Sequence, residues 1–293
     1  MRTKSVVLFL IVVAITQTLL ITNCLSKEKP VIHFGIGLRY HPIVVYERFQ
    51  PMMDYLTQNT PYKFELKISR DYKEALKFLA EGITDVSAIG DGGLIKAMLL
   101  YGAVPIVKPL NDEGRPFYRC YFIVPVNSPL HSLKDLKGKK VAFGSHHSTS
   151  GNLIPRSMLL KSGIRIEDLG SLKNLRNHST VTTAVLKGEF DAGAVRDTVA
   201  KRYENHGLRV LAYSDEIPSI PLVARKDAPK ELIKAITDAL VKLDPRNSAH
   251  QKIMENWDTE YKYGFVPATA ADYRELIRRF KATPNGCSTG CHR

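Results

Sequence analysis

The chain has 293 residues, 44% hydrophobic and 24% charged, a globular composition that excludes a disordered or fibrous chain. Lys and Arg number 42 against 29 Asp and Glu, a formal charge of +13. Four cysteines in this length exclude a fold built from disulfides.

Residues 1–26 read as a sorting signal: Arg2 and Lys4 precede the apolar run Val6–Ile15, which is short for a membrane span. Three readings of its end stand side by side. Cys24–Leu25–Ser26 fits a small–x–small cleavage site. Ile21–Thr22–Asn23–Cys24 fits a lipoprotein box that would make Cys24 a lipid anchor, although Asn23 is a poor residue there. An uncleaved anchor helix is the third. Each puts the rest of the chain outside the cytoplasm. Removing the segment takes away two basic and no acidic residues and leaves +11. A basic exported protein points to an anionic ligand or surface. The basic residues are scattered and no aromatic–basic stacking motif occurs, which argues against nucleic acid.

Strands and helices alternate from there. Val31–Gly37 predicts a buried strand, 46–57 a helix, 64–68 a strand, 72–80 a helix stopped at Gly82, 85–89 a strand and 94–100 a helix. The pattern restarts with strand 139–144, helix 154–161, helix 181–186 stopped at Gly188 and strand 191–195. Gly82, Asp85 and Ala88 recur as Gly188, Asp191 and Ala194 at one constant offset of 106. Two lobes of similar α/β build follow, each a mostly parallel sheet flanked by helices. The extended run 121–126 is expected to cross from one lobe to the other, and 208–213 with 220–224 to return. Helices 231–243, 250–256 and 271–280 would pack on the first lobe. The expected domains are 1–26 signal, 27–124 with 215–280 as the first lobe, 125–214 as the second, and a tail at 281–293. Two crossings make a hinged clamshell that can close over a small ligand.

The stretch Phe143–Asn152 lies between a strand and a helix. A helix start leaves amide N–H groups unpaired and carries partial positive charge. Ser148, Thr149 and Ser150 add hydroxyls, and Gly151 allows close approach, so the stretch can receive a tetrahedral oxyanion. An ordinary Ser/Thr N-cap uses the same residues. Ser148–Thr149–Ser150–Gly151, followed by Leu153–Ile154–Pro155 and Leu159–Leu160, resembles the signature of the phosphate/phosphite/phosphonate-binding proteins of ABC transporters. Further segments resemble that family in order: 69–72, 85–90, 118–124, 133–139, 191–195 and 264–268. The resemblance spans nearly all of 31–280. It implies a two-lobed periplasmic binding protein of type 2 that captures a phosphorus oxyanion for an ABC permease or a membrane sensor. It also implies that Ser148, Thr149, Ser150 and Gly151 hold the anion, with Tyr40, His178 and Asp197 facing the cleft. This chain departs from the pattern at Ser145–His146–His147, at Gly90–Asp91–Gly92–Gly93 and at Arg196, where relatives are often acidic or polar. Arg196 favours a plain or highly charged anion over one bearing an amino group.

Other candidates carry rival readings. His146 and His147 serve as anion donors, metal or haem ligands, or a solvated loop. Arg39 and Arg119 guide anions or solvate a surface. Trp257 is expected to pack, and Cys120 to be a buried free thiol. Cys287–Ser288–Thr289–Gly290–Cys291–His292 is one residue longer than the haem c motif. Covalent haem c on Cys287 and Cys291 with His292 on iron stands beside a disulfide loop and a free tail. Anion binding needs no cofactor. No nucleophile–base pair is legible, so a non-enzymatic, monomeric binding protein is expected; the alternative is a haem-carrying redox or sensing protein on the same fold.

Overall fold

The computed structural model describes residues 28–37, 42–146, 148–204 and 206–281. Cys24 and the rest of the signal, Arg39, Tyr40, His147, Cys287, Cys291 and His292 lie outside the described residues.

The first half of the fold runs β1 (Val31–Gly37), α1 (Pro42–Asn59), β2 (Lys63–Ser69), α2 (Tyr72–Ala80), β3 (Val86–Ala88), α3 (Asp91–Tyr101) and β4 (Val104–Pro109). A short strand β5 (Phe117–Tyr118) leads into β6 (Cys120–Pro125), β7 (Lys140–Phe143), α4 (Ile154–Lys161), β8 (Ser171–Asn174), α5 (His178–Leu186), β9 (Ala192–Arg196), α6 (Asp197–Tyr203) and β10 (Leu208–Tyr213). The chain returns through β11 (Ile217–Pro218) to β12 (Leu222–Ala224), α7 (Lys230–Val241), α8 (Ser248–Met254), β13 (Phe265–Pro267) and α9 (Arg274–Lys281). One sheet has the order β13-β4-β12-β3-β1-β2 and the other β10-β6-β9-β7-β8; β5 and β11 form a two-stranded ribbon.

The repeat at offset 106 has a physical cause. In the first sheet the Asp85 carboxylate accepts the His33 N–H at 3.0 Å, and the Asp85 N–H donates to the His33 carbonyl at 2.9 Å. In the second, Asp191 accepts the Lys140 N–H at 2.7 Å and donates its own to the Lys140 carbonyl at 2.9 Å. Gly82 and Gly188, which end the preceding helices, both have φ of +72° and open space where a Cβ would sit. Glycine is needed there for the left-handed backbone alone. Each aspartate thus clips the start of a strand to the helix that feeds its neighbour.

Two expectations are corrected. Neither sheet is mostly parallel: β1–β2, β1–β3, β7–β8 and β7–β9 run parallel, whereas β12, β13, β4, β6 and β10 pair antiparallel. β6 and β12, each entered from a linking segment, run against their sheets, and β10 and β4 pair antiparallel because they flank them. The crossings also lie elsewhere. Residues 120–125 and 208–213 pair with each other inside the second sheet, because apolar extended runs gain more by burial between helices than by bridging. The linking segments are 110–119 and 214–221. Ile217 and Pro218 pair there with Tyr118 and Phe117. Cys120 donates its N–H to Ser214 Oγ at 3.0 Å and accepts the Ser214 N–H at 2.9 Å. Arg119 Nη1 donates to the Ser214 carbonyl at 2.9 Å.

One apolar core runs through both halves, joining Ile89, Leu94 and Val223 to Phe122, Val141 and Phe143. A second fills the first sheet against α1, α7 and α8, and includes Trp257, which tilts on Tyr55 with centroids 5.5 Å apart. Cys120 is a buried free thiol, pushed well above the ordinary thiol range by burial.

Candidate functional site

β7 ends at Phe143 and the chain turns back on itself at once. Gly144 donates its N–H to the Gly151 carbonyl at 2.8 Å. Ser148 donates to the Ser145 carbonyl at 2.8 Å, and its Oγ accepts the Gly151 N–H at 3.0 Å. Residues 149–153 form one wide, π-type turn, closed by the Ile154 N–H on the Thr149 carbonyl, which runs into α4 with Pro155 in its first turn. Such widened turns recur at functional sites. Ser148 is therefore an N-cap, as the rival reading holds. A hydroxyl that accepts a bond still has a proton to donate, so capping fixes the direction of Ser148 without consuming it.

Gly144 and Gly151 are pressed together. A Cβ on Gly151 would lie 2.9 Å from Ser148 Oγ, 3.0 Å from His178 Cε1 and 3.1 Å from Gly144 Cα. Thr149, Ser150 and Gly151 are all buried. The loop is braced from behind by residues the sequence reading passed over. Asn174, the last residue of β8, donates to the Gly144 carbonyl at 2.6 Å and to Asn152 Oδ1 at 3.0 Å. Asn152 donates to the His146 carbonyl at 2.9 Å and accepts Arg156 Nε at 3.0 Å. Arg156 lies 5.7 Å from the Phe143 ring centre, and burial lowers its pKa. The i, i+4 spacing of Asn152 and Arg156 was visible in the sequence; the role of Asn174, on another strand, was not.

The turn has neighbours from both halves of the molecule. β9 and β6 pack beside it, and α3 of the first half touches it. α3 begins at Gly90 with no side-chain cap. Gly93 is required there, since a Cβ would fall 2.2 Å from Ile89 Cγ2. At Gly93 the glycine-rich departure is thus a packing solution.

His178 opens α5 and lays its ring edge on Gly151. The side chain is half-buried, and its Nδ1 is sealed from solvent with no hydrogen-bond partner. Burial, aided by Arg196, pushes its pKa down to about 4, against an opposing pull from Glu260. The imidazole is therefore neutral at neutral pH and has one nitrogen waiting for a partner. Asp197 is held differently. Its Oδ2 accepts the Arg119 N–H at 2.9 Å and its Oδ1 the Thr198 N–H at 2.8 Å. Burial raises its pKa, while Arg196 and these amides oppose the shift. One oxygen thus caps the first turn of α6, and the other anchors the linking segment. Arg119 is likewise engaged there, 3.3 Å from Glu216 and 5.2 Å from the Tyr213 ring centre. Of the candidates, Ser148, Thr149, Ser150, Gly151 and His178 come together; Asp197 and Arg119 belong to the hinge.

The sequence and the fold both match known proteins. The family described as "ABC transporter, phosphonate, periplasmic substrate-binding protein" matches residues 34–273. The phosphate-import protein PhnD of Mycolicibacterium smegmatis is 27% identical over 248 residues, covering 77% of each chain. Among solved structures, PhnD1 of Prochlorococcus marinus in complex with methylphosphonate superposes with a TM-score of 0.73 at 21% identity, over 87% of this chain and 98% of that one. A binding-protein component of an ABC phosphonate transporter from Pseudomonas aeruginosa gives 0.71 at 20% identity, over 86% of both. These structures share the two-lobed α/β fold.

Proposed function

Because the chain belongs to the periplasmic, phosphonate-type substrate-binding proteins of ABC transporters, we propose that its own guest is a phosphate-, phosphite- or phosphonate-like oxyanion seated on Ser148–Gly151. The observation that carries this is the pairing of Gly144 with Gly151 under a capped Ser148. The two glycines let the turn close on itself, and it sets three hydroxyl residues at a helix start, where first-turn amides carry partial positive charge. Phosphate import by the Mycolicibacterium relative and the methylphosphonate held by the Prochlorococcus structure support the ligand class. His178 offers Nδ1 to a protonated or unprotonated anion oxygen. Tyr40 is read as the aromatic wall contributed by the first lobe.

The protein acts outside the cytoplasm. We read residues 1–26 as its export signal, with Cys24 as the lipid attachment point if the lipoprotein box is used. It works as a monomer that presents the closed form to an ABC permease or a membrane sensor and performs no catalysis.

Calorimetry with phosphate, phosphite and methylphosphonate tests the reading. A hydrogen bond to a charged group contributes about 1.5–3 kcal/mol, so Ser148→Ala with Thr149→Val should weaken binding on the order of 100-fold or more. Affinity unchanged in that double variant would move the site elsewhere.

A further inference from the structure

Arg196, the last residue of β9, is 8% exposed. Its guanidinium carbon sits 4.2 Å from the centre of the Tyr118 ring in the linking ribbon. Nη1 donates to Glu260 Oε1 at 2.7 Å. Glu260 comes from the other half of the molecule, on the loop between α8 and β13, and its side chain keeps only 19% of its surface exposed. That loop is itself pinned. Asp258, 1% exposed, accepts the Glu260 N–H at 3.0 Å and donates its own N–H to the Arg48 carbonyl on α1 at 3.1 Å. A rigid loop of one lobe thus delivers an acid to a base at the end of a central strand of the other.

Both charges have given up most of their water to meet. A buried pair of this kind has little surplus over its desolvation cost while intact, and losing one partner strands the other. These two groups have an alternative that most buried pairs lack: if the lobes part, each returns to solvent. The contact joins the two halves of the molecule directly. It also lies beside the proposed anion seat, since β9 packs on the 149–153 turn and Arg196 is the charge that most strongly opposes protonation of His178.

We propose that Arg196 and Glu260 form a latch that holds the lobes shut without a guest, so that the closed population is set by the protein and not by the ligand alone. Resting on the oxyanion reading, the latch sets affinity: the apparent dissociation constant is the intrinsic one divided by the closed fraction. Bulk phosphate would meet a site already assembled.

Small-angle scattering of the ligand-free protein tests the latch without reference to any ligand. Wild type should be compact. Glu260→Gln should show a larger radius of gyration, and Arg196→Gln, which also gives up the Tyr118 ring and Asp197 Oδ1 at 4.0 Å, should open at least as far and match the double variant. A wild-type profile for Glu260→Gln overturns the proposal, as does a double variant more open than Arg196→Gln alone. Glu260 lies on a loop, so Glu260→Gln carries the test alone if Arg196→Gln does not fold. Phosphate affinity of Glu260→Gln should fall roughly tenfold, a closed fraction near one tenth. The Ser148→Ala/Thr149→Val protein should lose anion binding yet scatter like wild type, so the anion site and the latch fail separately.

Discussion

His178 is where the chemistry of a single residue is most exposed to test. Its neutral imidazole is held in the fold, whereas in the unfolded chain it titrates near its ordinary 6.5. Between pH 6.5 and about 4 the unfolded state therefore binds the extra proton, and stability falls as pH falls through that window. At 1.36 kcal/mol per unit the full loss is on the order of 3 kcal/mol. Urea unfolding at pH 7 and pH 4.5 should show this slope in wild type and a shallower one in His178→Asn; parallel slopes would contradict it. Ser148 and Asp197 make the complementary point. The sequence marks both as polar groups near a helix start, but only their partners separate a cap of the Gly151 turn from an anchor of the linking segment: Gly151 N–H for one, Arg119 N–H for the other.

At the scale of elements, helix spacing and glycine stops located most of the helices to within a few residues. α2 and α4 run as expected, 72–80 and 154–161. What escaped has identifiable causes. β4 carries Pro105, Pro109 and Lys108, which obscure a strand pattern; it is a strand because β12 and β13 flank it and Lys108 finds Asp272 at 2.9 Å. α6 follows β9 with no intervening residue and leaves no turn signal. The seat of α5 is a packing fact of the same kind. Gly193 on β9 admits the helix so closely that a Cβ would lie 2.5 Å from Val181 Cγ1 and 2.9 Å from Val185 Cγ2. Gly193→Ala should cost about 1–3 kcal/mol by overpacking, measured as a lower urea midpoint with an unchanged slope. Adding Val181→Ala should recover part of that loss, and strict additivity of the two would contradict the contact.

The molecule as a whole turns on two short linking segments. They are held by the β5–β11 ribbon and by the reciprocal bonds of Cys120 with Ser214, and Ser214 Oγ also donates to the Asp215 carbonyl at 2.6 Å. Ser214→Ala leaves the buried Cys120 N–H without a partner, a cost of about 1–3 kcal/mol. Hydrogen–deuterium exchange should quicken at residues 117–121 and 214–218 while the far ends of both sheets keep their protection. Uniform loss of protection would instead place Ser214 in the global core.

Local pattern alone carried the alternation of strand and helix, the doubled Gly–Asp–Ala register and the Ser148–Gly151 turn, because each depends on neighbours within a few residues: backbone conformation, capping and face periodicity. It could not say which strands pair, where the chain crosses or which polar groups meet, because those depend on burial between segments far apart in the chain. Asn174 behind Gly144, Asp197 on Arg119 and Arg196 on Glu260 exist only once two sheets have closed on one core, where desolvation makes a polar partner obligatory.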